Sequence, residues 1–270
     1  MSKIKKKFLE LQSKNEKALI AYIMVGYPNE RSTISAVKGL VKGGVDVIEL
    51  GFPFSDPLAD GPVIQNASAV SLQRGTKIDD FFRVVKKIRK LTDIPLVLMT
   101  YTNILYNRGY QNFILDAKEV GIDGFILPDM AIEESSEYLK AAKNKTDTIF
   151  LISPNTNKER INKIVKSTSG FLYLVAVYGT TGVKTGIKNY TLKAIKNVKQ
   201  QTKGKMPIGV GFGVSSPEEV NRYIASGADG VIVGSAFLKL IEKTPQNQIE
   251  KKIELFTKSL KKETRNIIPK

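Results

Sequence analysis

The chain has 270 residues, 42% of them hydrophobic and 25% charged, the composition of an ordinary globular protein rather than a disordered one. It contains neither cysteine nor histidine. That excludes disulfides, thiolate or imidazole zinc centres and Ser-His-Asp triads, and leaves proton transfer to carboxylates, Lys or Tyr.

The formal net charge is +16. Its lysines are spread through helical stretches such as 86–90, 193–205 and 251–262. A solvated basic surface is therefore the expected reading, not a nucleic-acid site. Such a field also favours a phosphorylated small molecule.

Residues 1–17 are charged and lack the uninterrupted apolar core of a signal peptide. Ile4, Phe8, Leu9 and Leu11 fall on one face of a short helix. No apolar run reaches the ~18 residues of a membrane helix. Short β-branched runs follow at 19–25, 47–50, 96–101, 124–127, 148–152, 172–177, 208–211 and 230–233, which predict strands. Between them, amphipathic helical spacing runs over 32–42, 79–91, 110–120, 133–143, 158–166, 191–201 and 217–226. Gly-Val-Asp at 44–46, Gly-Ile-Asp at 121–123 and Gly-Ala-Asp at 227–229 each end a helix and feed a strand. Eight such alternations predict a single (β/α)8 barrel domain over 1–270 with an extra N-terminal helix. An open doubly wound sheet is the alternative.

In a parallel barrel the chemistry sits where strands run into the following loops. Glu49 closes the second apolar run, and alternation places it on the face of Val47. A carboxylate at the inner rim is an acid/base candidate with a raised pKa, or it tethers the next loop by hydrogen bonds. The loop after it carries Pro53, Pro57, Pro62, Gly51, Gly61 and the acids Asp56 and Asp60. Each Asp alone reads equally as a turn residue. Two acids from one strand-and-loop unit, in a chain without histidine, favour catalysis. Glycine-bearing turns at 179–182, 211–213 and 234–235 follow the last three strands. Their main-chain amides suit a phosphate.

The run from Glu49 to Gln65, Glu-Leu-Gly-Phe-Pro-Phe-Ser-Asp-Pro-Leu-Ala-Asp-Gly-Pro-Val-Ile-Gln, resembles the signature of tryptophan synthase α subunits. The likeness continues through Ala21-Tyr22-Ile23, Gly26-Tyr27-Pro28, Met99-Thr100-Tyr101 with Asn103, and Pro128-Asp129 with Glu133-Glu134. It extends to Gly179-Thr-Thr-Gly182, Gly209-Val-Gly-Phe-Gly213 and Val233-Gly-Ser-Ala236. The resemblance implies a lyase that cleaves indole-3-glycerol phosphate to indole and glyceraldehyde 3-phosphate. It assigns C3 proton transfer to Glu49 and the indole nitrogen to Asp60. It places Gly182, Gly213, Gly234 and Ser235 around the phosphate, Phe212 against the indole, and Tyr22, Ile64 and Tyr173 in the pocket wall. Thr181 is assigned to a lid near Asp60, and Pro53 and Asp56 to the face towards a partner.

The same resemblance implies a β subunit as partner in an α2β2 assembly, with pyridoxal phosphate held only there. It implies no metal or cofactor in this chain and a cytoplasmic address. A standalone lyase releasing free indole, another phosphate-binding barrel enzyme and a basic scaffold are the competing readings. Ala131, Ala176-Val177 and the stretch 183–187 depart from the usual family pattern. Those departures touch the lid and partner communication rather than the two acids.

Overall fold

The computed structural model describes residues 1–175, 189–211 and 213–265. Its strands are β1 (Ala18–Met24), β2 (Val47–Gly51), β3 (Leu96–Met99), β4 (Gly124–Ile126), β5 (Asp147–Ile149), β6 (Leu151–Ile152), β7 (Leu172–Val175), β8 (Ile208–Gly211) and β9 (Gly230–Val233). All recorded pairings are parallel, in the order β5-β4-β3-β2-β1-β9-β8-β7-β6. The two outer members, β5 and β6, are consecutive in sequence and separated only by Phe150. The sheet therefore closes on itself through one interrupted strand. Counted as staves, the barrel has eight, as the alternation predicts, and the open sheet is ruled out. The predicted strand at 148–152 is that interrupted stave. Its first half pairs β4 and its second half pairs β7, so the ladder changes neighbours at Phe150.

The outer layer consists of α1 (Lys3–Ser13), α2 (Glu30–Gly43), α3 (Pro62–Gln73), α4 (Ile78–Arg89), α5 (Thr102–Arg108), α6 (Tyr110–Glu119), α7 (Ser136–Ala142), α8 (Lys158–Ser167), α9 (Asn189–Gln201), α10 (Pro217–Ala225), α11 (Ser235–Glu242) and α12 (Ile249–Glu263). Local chemistry sets their ends. Asn29, Asn157 and Ser216 cap α2, α8 and α10 by accepting the amides of Ser32, Arg160 and Glu219. The helix expected at 133–143 starts later, because Ile132–Glu134 forms a single tight turn whose Ile132 carbonyl accepts the Ser135 hydroxyl. The strand expected at 96–101 ends at Met99, since Tyr101 already caps α5. No helix among the described residues is long and apolar enough to cross a membrane.

The Gly-X-Asp repeats do more than end helices. Asp46 accepts the Leu19 amide at 2.8 Å, Asp123 the Leu96 amide at 2.9 Å and Asp229 the Ile208 amide at 3.1 Å. Each Asp amide also returns a bond to the carbonyl of that same residue. Ser169 does the equivalent with Thr148, hydroxyl accepting one amide and main chain donating in return. The second, fourth, sixth and eighth staves are thus each latched to the stave before them, at the end where strands begin. A cation completes each acidic latch: Lys261 on Asp46 at 2.8 Å, Arg89 on Asp123 at 2.7 Å, Lys199 on Asp229 at 2.6 Å.

Lys261 is the most buried of these, 4% exposed, and also meets Glu16 at 3.2 Å. Burial raises the Asp46 carboxyl above the ordinary range, while Lys261 and the Leu19 amide pull it back. Lys261→Met is expected to destabilise the fold by roughly 3 kcal/mol, the cost of leaving a buried carboxylate unpaired. Denaturant unfolding checks this. The double variant Asp46→Asn/Lys261→Met should recover part of the loss.

Candidate active site

At the opposite end, where strands run into loops, lies a small cavity of about 40 Å3. Tyr22, Glu49, Asp60, Ile64, Tyr173, Gly213, Gly234 and Ser235 all line it. Sequence reasoning singles out each of them. Thr181, Gly182 and Phe212 lie outside the described residues.

Glu49 stands in the middle of β2, in register with Tyr22 of β1 and Val97 of β3. It is fully buried, and neither carboxyl oxygen has a hydrogen-bond partner among the described residues. The tethering alternative is not what the structure contains, since no described loop amide or hydroxyl bonds this side chain. Burial alone pushes its carboxyl up to about 8. At neutral pH it is a protonated acid facing a cavity.

Asp60 is 5% exposed and lies on the loop between β2 and α3. Several bonds hold that loop. Its own amide donates to the Pro57 carbonyl at 3.0 Å, and Gln65 Nε2 donates to the Asp60 carbonyl at 2.9 Å. Ser68 Oγ bonds both the amide and the carbonyl of Phe54. Phe54 in turn stacks on Tyr101 with ring centroids 4.9 Å apart. The Tyr101 hydroxyl accepts the Ala59 amide and donates to Asp60 Oδ2, both at 3.0 Å. Asp60 Oδ1 has no partner among the described residues. Burial pushes the Asp60 carboxyl up to about 6, while the Tyr101 hydroxyl, which stabilises the anion, pulls it down. Two acids of one cavity are thereby set apart: near neutrality one is protonated and the other ionised.

Sequence reasoning assigns no role to Tyr101, although its motif belongs to the resemblance. Its contribution depends on a contact between two loops that no local spacing encodes. Met99, Val214 and Ile232 complete the apolar wall. They read in sequence as ordinary core residues, and only their place at strand ends marks them.

Tyr22 and Tyr173 approach their neighbouring strands closely. A Cβ at Gly51 would collide with the Tyr22 hydroxyl, and one at Gly211 with that of Tyr173. Burial raises both phenols well above their ordinary range, so they stay neutral. At the far end of the cavity Gly213 adopts φ +80°, a left-handed conformation that favours glycine, and Gly234 precedes the first turn of α11. The free amides of that turn point outward from a positive helix end, which suits an anion. Of the two loop residues expected to face a partner, Asp56 is exposed next to the 83%-exposed Leu58, whereas Pro53 is buried. Among the described residues no cluster of three or more His, Cys, Asp or Glu side chains could hold a metal.

A carboxyl held near 8 has a consequence for stability. Below the ordinary carboxylate range Glu49 is protonated in both folded and unfolded chains and costs nothing. Between that range and about pH 8 the unfolded chain has released the proton and the folded chain retains it, so stability falls as pH rises. Glu49→Gln is expected to leave thermal stability unchanged at pH 4 and to raise it at pH 9, on the order of a few kcal/mol. Melting temperatures at the two pH values check this.

Comparison with known proteins sets this geometry in a family. The family model for the tryptophan synthase alpha chain matches residues 8–266. The tryptophan synthase alpha chain of Methanosarcina acetivorans is 42% identical over 261 residues, covering 96% of this chain and 93% of that one. The alpha chain of Petrotoga mobilis is 42% identical over 268 residues, covering 97% and 99%. A solved chain from Aquifex aeolicus superposes with a TM-score of 0.89 at 37% identity, covering 98% of this chain and 100% of its own. A chain of Mycobacterium tuberculosis tryptophan synthase gives 0.88 at 32% identity, covering 98% and 99%. One from the Pyrococcus furiosus tryptophan synthase α2β2 complex gives 0.84 at 36%, covering 91% and 98%. With its closed barrel and its match to the family model over nearly its whole length, the chain belongs to the tryptophan synthase alpha chain family.

Proposed function

We propose that this chain, as one barrel domain, cleaves indole-3-glycerol phosphate to indole and glyceraldehyde 3-phosphate at the cavity holding Glu49 and Asp60. The observation that carries the reading is the pair of differently tuned acids. Glu49 is buried and protonated near neutrality, Asp60 shares its cavity, and neither Glu49 nor Asp60 Oδ1 has a hydrogen-bond partner among the described residues.

Indole leaves poorly as a carbanion. Glu49 donates its proton to C3 of the ring, which makes an iminium able to accept the electrons of the breaking carbon–carbon bond. Ionised Asp60 accepts the indole N–H and offsets the positive charge. Now a carboxylate, Glu49 takes the proton of the glycerol 3′-hydroxyl as that carbon becomes an aldehyde. The bond electrons restore the indole ring, and Glu49 ends protonated, ready for another turnover. Gly213, Gly234 and Ser235 hold the phosphate with main-chain amides, together with Gly182. Tyr22, Ile64, Tyr173 and Phe212 wall the indole, and Thr181 closes towards Asp60.

The carbon–carbon cleavage needs no metal or organic cofactor in this chain. Its partner is a tryptophan synthase β subunit in an α2β2 assembly, which holds the pyridoxal phosphate and consumes the indole. The loop carrying Asp56 and Pro53 faces that partner, and the assembly works in the cytoplasm. Indole release measured with and without the β subunit separates this reading from a standalone lyase, whose rate the partner would leave unchanged.

Glu49→Gln and Asp60→Asn are each expected to lower kcat by about 100-fold or more while the protein still folds. Near-wild-type turnover by folded Glu49→Gln would overturn the mechanism. The kcat/KM profile should be bell-shaped, requiring ionised Asp60 on the acid side, near 6, and protonated Glu49 on the alkaline side, near 8. Tyr101→Phe removes the hydroxyl that stabilises the Asp60 anion. The acid limb should then move to higher pH and narrow the bell, while the alkaline limb stays. A uniform loss without movement of that limb would mean that Tyr101 is purely structural.

A further inference from the structure

A second hollow lies at the other end of the barrel, beneath α1. Phe8, Leu9 and Leu11 of α1 face it across from Met206 and Pro207, which precede β8. Its volume is about 360 Å3, near the lower end of what a small organic ligand occupies. Phe8 and Leu11 are buried, while Leu9 remains 45% exposed at the rim. The apolar wall is therefore present but only partly covered.

The charges around it do not balance. Lys5, Lys17, Lys199 and Lys205 line the hollow against two carboxylates, Glu16 and Asp229. Asp229 receives both Lys17 at 3.2 Å and Lys199 at 2.6 Å, and its second oxygen also accepts the Ile208 amide. Glu16 is engaged by two cations that do not line the hollow, Lys261 at 3.2 Å and Arg265 at 3.4 Å. Lys5 and Lys205 enter no ion pair among the described residues. One carboxylate cannot neutralise the two ammonium groups of Lys17 and Lys199. Both are partly withdrawn from water, with side chains 25% and 34% exposed, and stand beside an apolar wall. Excess charge in such a place gains more from an incoming anion than charge on an open surface does.

We infer that this hollow binds a small amphipathic anion, a carboxylate carried on an apolar body, at a site separate from the acid-lined cavity. An inorganic anion would meet the charge and leave the exposed Leu9 and the half-buried Met206 wet. A neutral apolar molecule would cover the wall and leave the surplus positive charge around Asp229 without a counter-charge. A carboxylate with a hydrocarbon or aryl body satisfies both at once. Its head would sit among Lys17, Lys199 and Lys205, with its body along α1.

Octanoate is a suitable probe, with octan-1-ol and inorganic phosphate as controls, titrated into the 15N-labelled full chain. Saturable shifts are expected at the amides of Leu9, Gly170, Gly204 and Met206, with dissociation constants on the order of a millimolar or tighter. Leu9 and Lys205 are exposed and remote from the acids, so Leu9→Asp/Lys205→Glu should fold and keep its rate of indole release. It should bind octanoate about tenfold more weakly. Four results would overturn the site: no saturable shift, octan-1-ol binding as well as octanoate, shifts confined to the Gly213 and Gly234 end, or unchanged affinity in the double variant. A wild-type dimer abolished by the double variant would instead identify the hollow as a contact between copies of the chain, and would equally overturn it.

Discussion

The architecture hangs on the latches at the strand starts. Asp46, Asp123, Ser169 and Asp229 each exchange two hydrogen bonds with the first or second residue of the preceding stave. A side chain bonded to a particular main-chain amide fixes register as well as proximity. Register is what matters in a barrel, because a slip of one residue turns every inward side chain outward. A slipped β2 would swing Glu49 away from the cavity and leave Val47 and Leu50 on the wrong faces. The three carboxylate latches are charge-assisted and contribute about 1.5–3 kcal/mol per bond. They sit at the end of the barrel remote from the acids, where rigidity carries no cost to the chemistry.

The other end is built on opposite terms. Glu49 has no hydrogen bond to hold it among the described residues, and its burial is unfavourable whenever it ionises. Asp60 is restrained on one oxygen, and the other has no partner among the described residues. These are local sacrifices of stability that make two chemically similar groups behave differently. The strand ends tolerate them because the latches below and the paired helices outside already determine the fold. Tyr101 belongs to both sides of this arrangement, since one hydroxyl fixes the path of the loop through Ala59 and tunes the acid on it.

Much of this is legible in the chain. Alternating periodicity locates all eight staves, and two acids on one strand-and-loop unit, in a chain without histidine, direct attention to Glu49 and Asp60. Identifying the pocket wall requires the family resemblance, because Tyr22, Ile64 and Tyr173 carry no local mark that separates them from core residues. Other features are not legible because they arise only between distant segments. The break at Phe150 reflects a change of neighbouring strand. The Gly-X-Asp repeats read as helix ends, which they are. Their role as bonds between strands needs a partner about 27 residues earlier in two cases and 21 in the third.

The interruption at Phe150 gives the barrel a seam. Residues 18–149 carry one continuous run of ladder, β1 to β5, and 151–233 carry the remainder. Between these two arcs the strand ladder runs only along β1 and β9, since β5 and β6 meet through a covalent link and not through a ladder. On that second edge, besides the link itself, the arcs share the Ser169 latch on Thr148, the Thr148 hydroxyl on the Ser167 carbonyl and the Arg160–Glu133 ion pair. Topologically the ring is two arcs, joined by a strand ladder along one edge and by isolated hydrogen bonds and an ion pair on the other. A chain divided near Phe150 would produce two fragments, each with its sheet order intact, that could rejoin along one parallel edge without rethreading. The acids Glu49 and Asp60 would travel with the first fragment, and Gly213, Gly234 and Ser235 with the second. Only their reunion would reassemble the cavity.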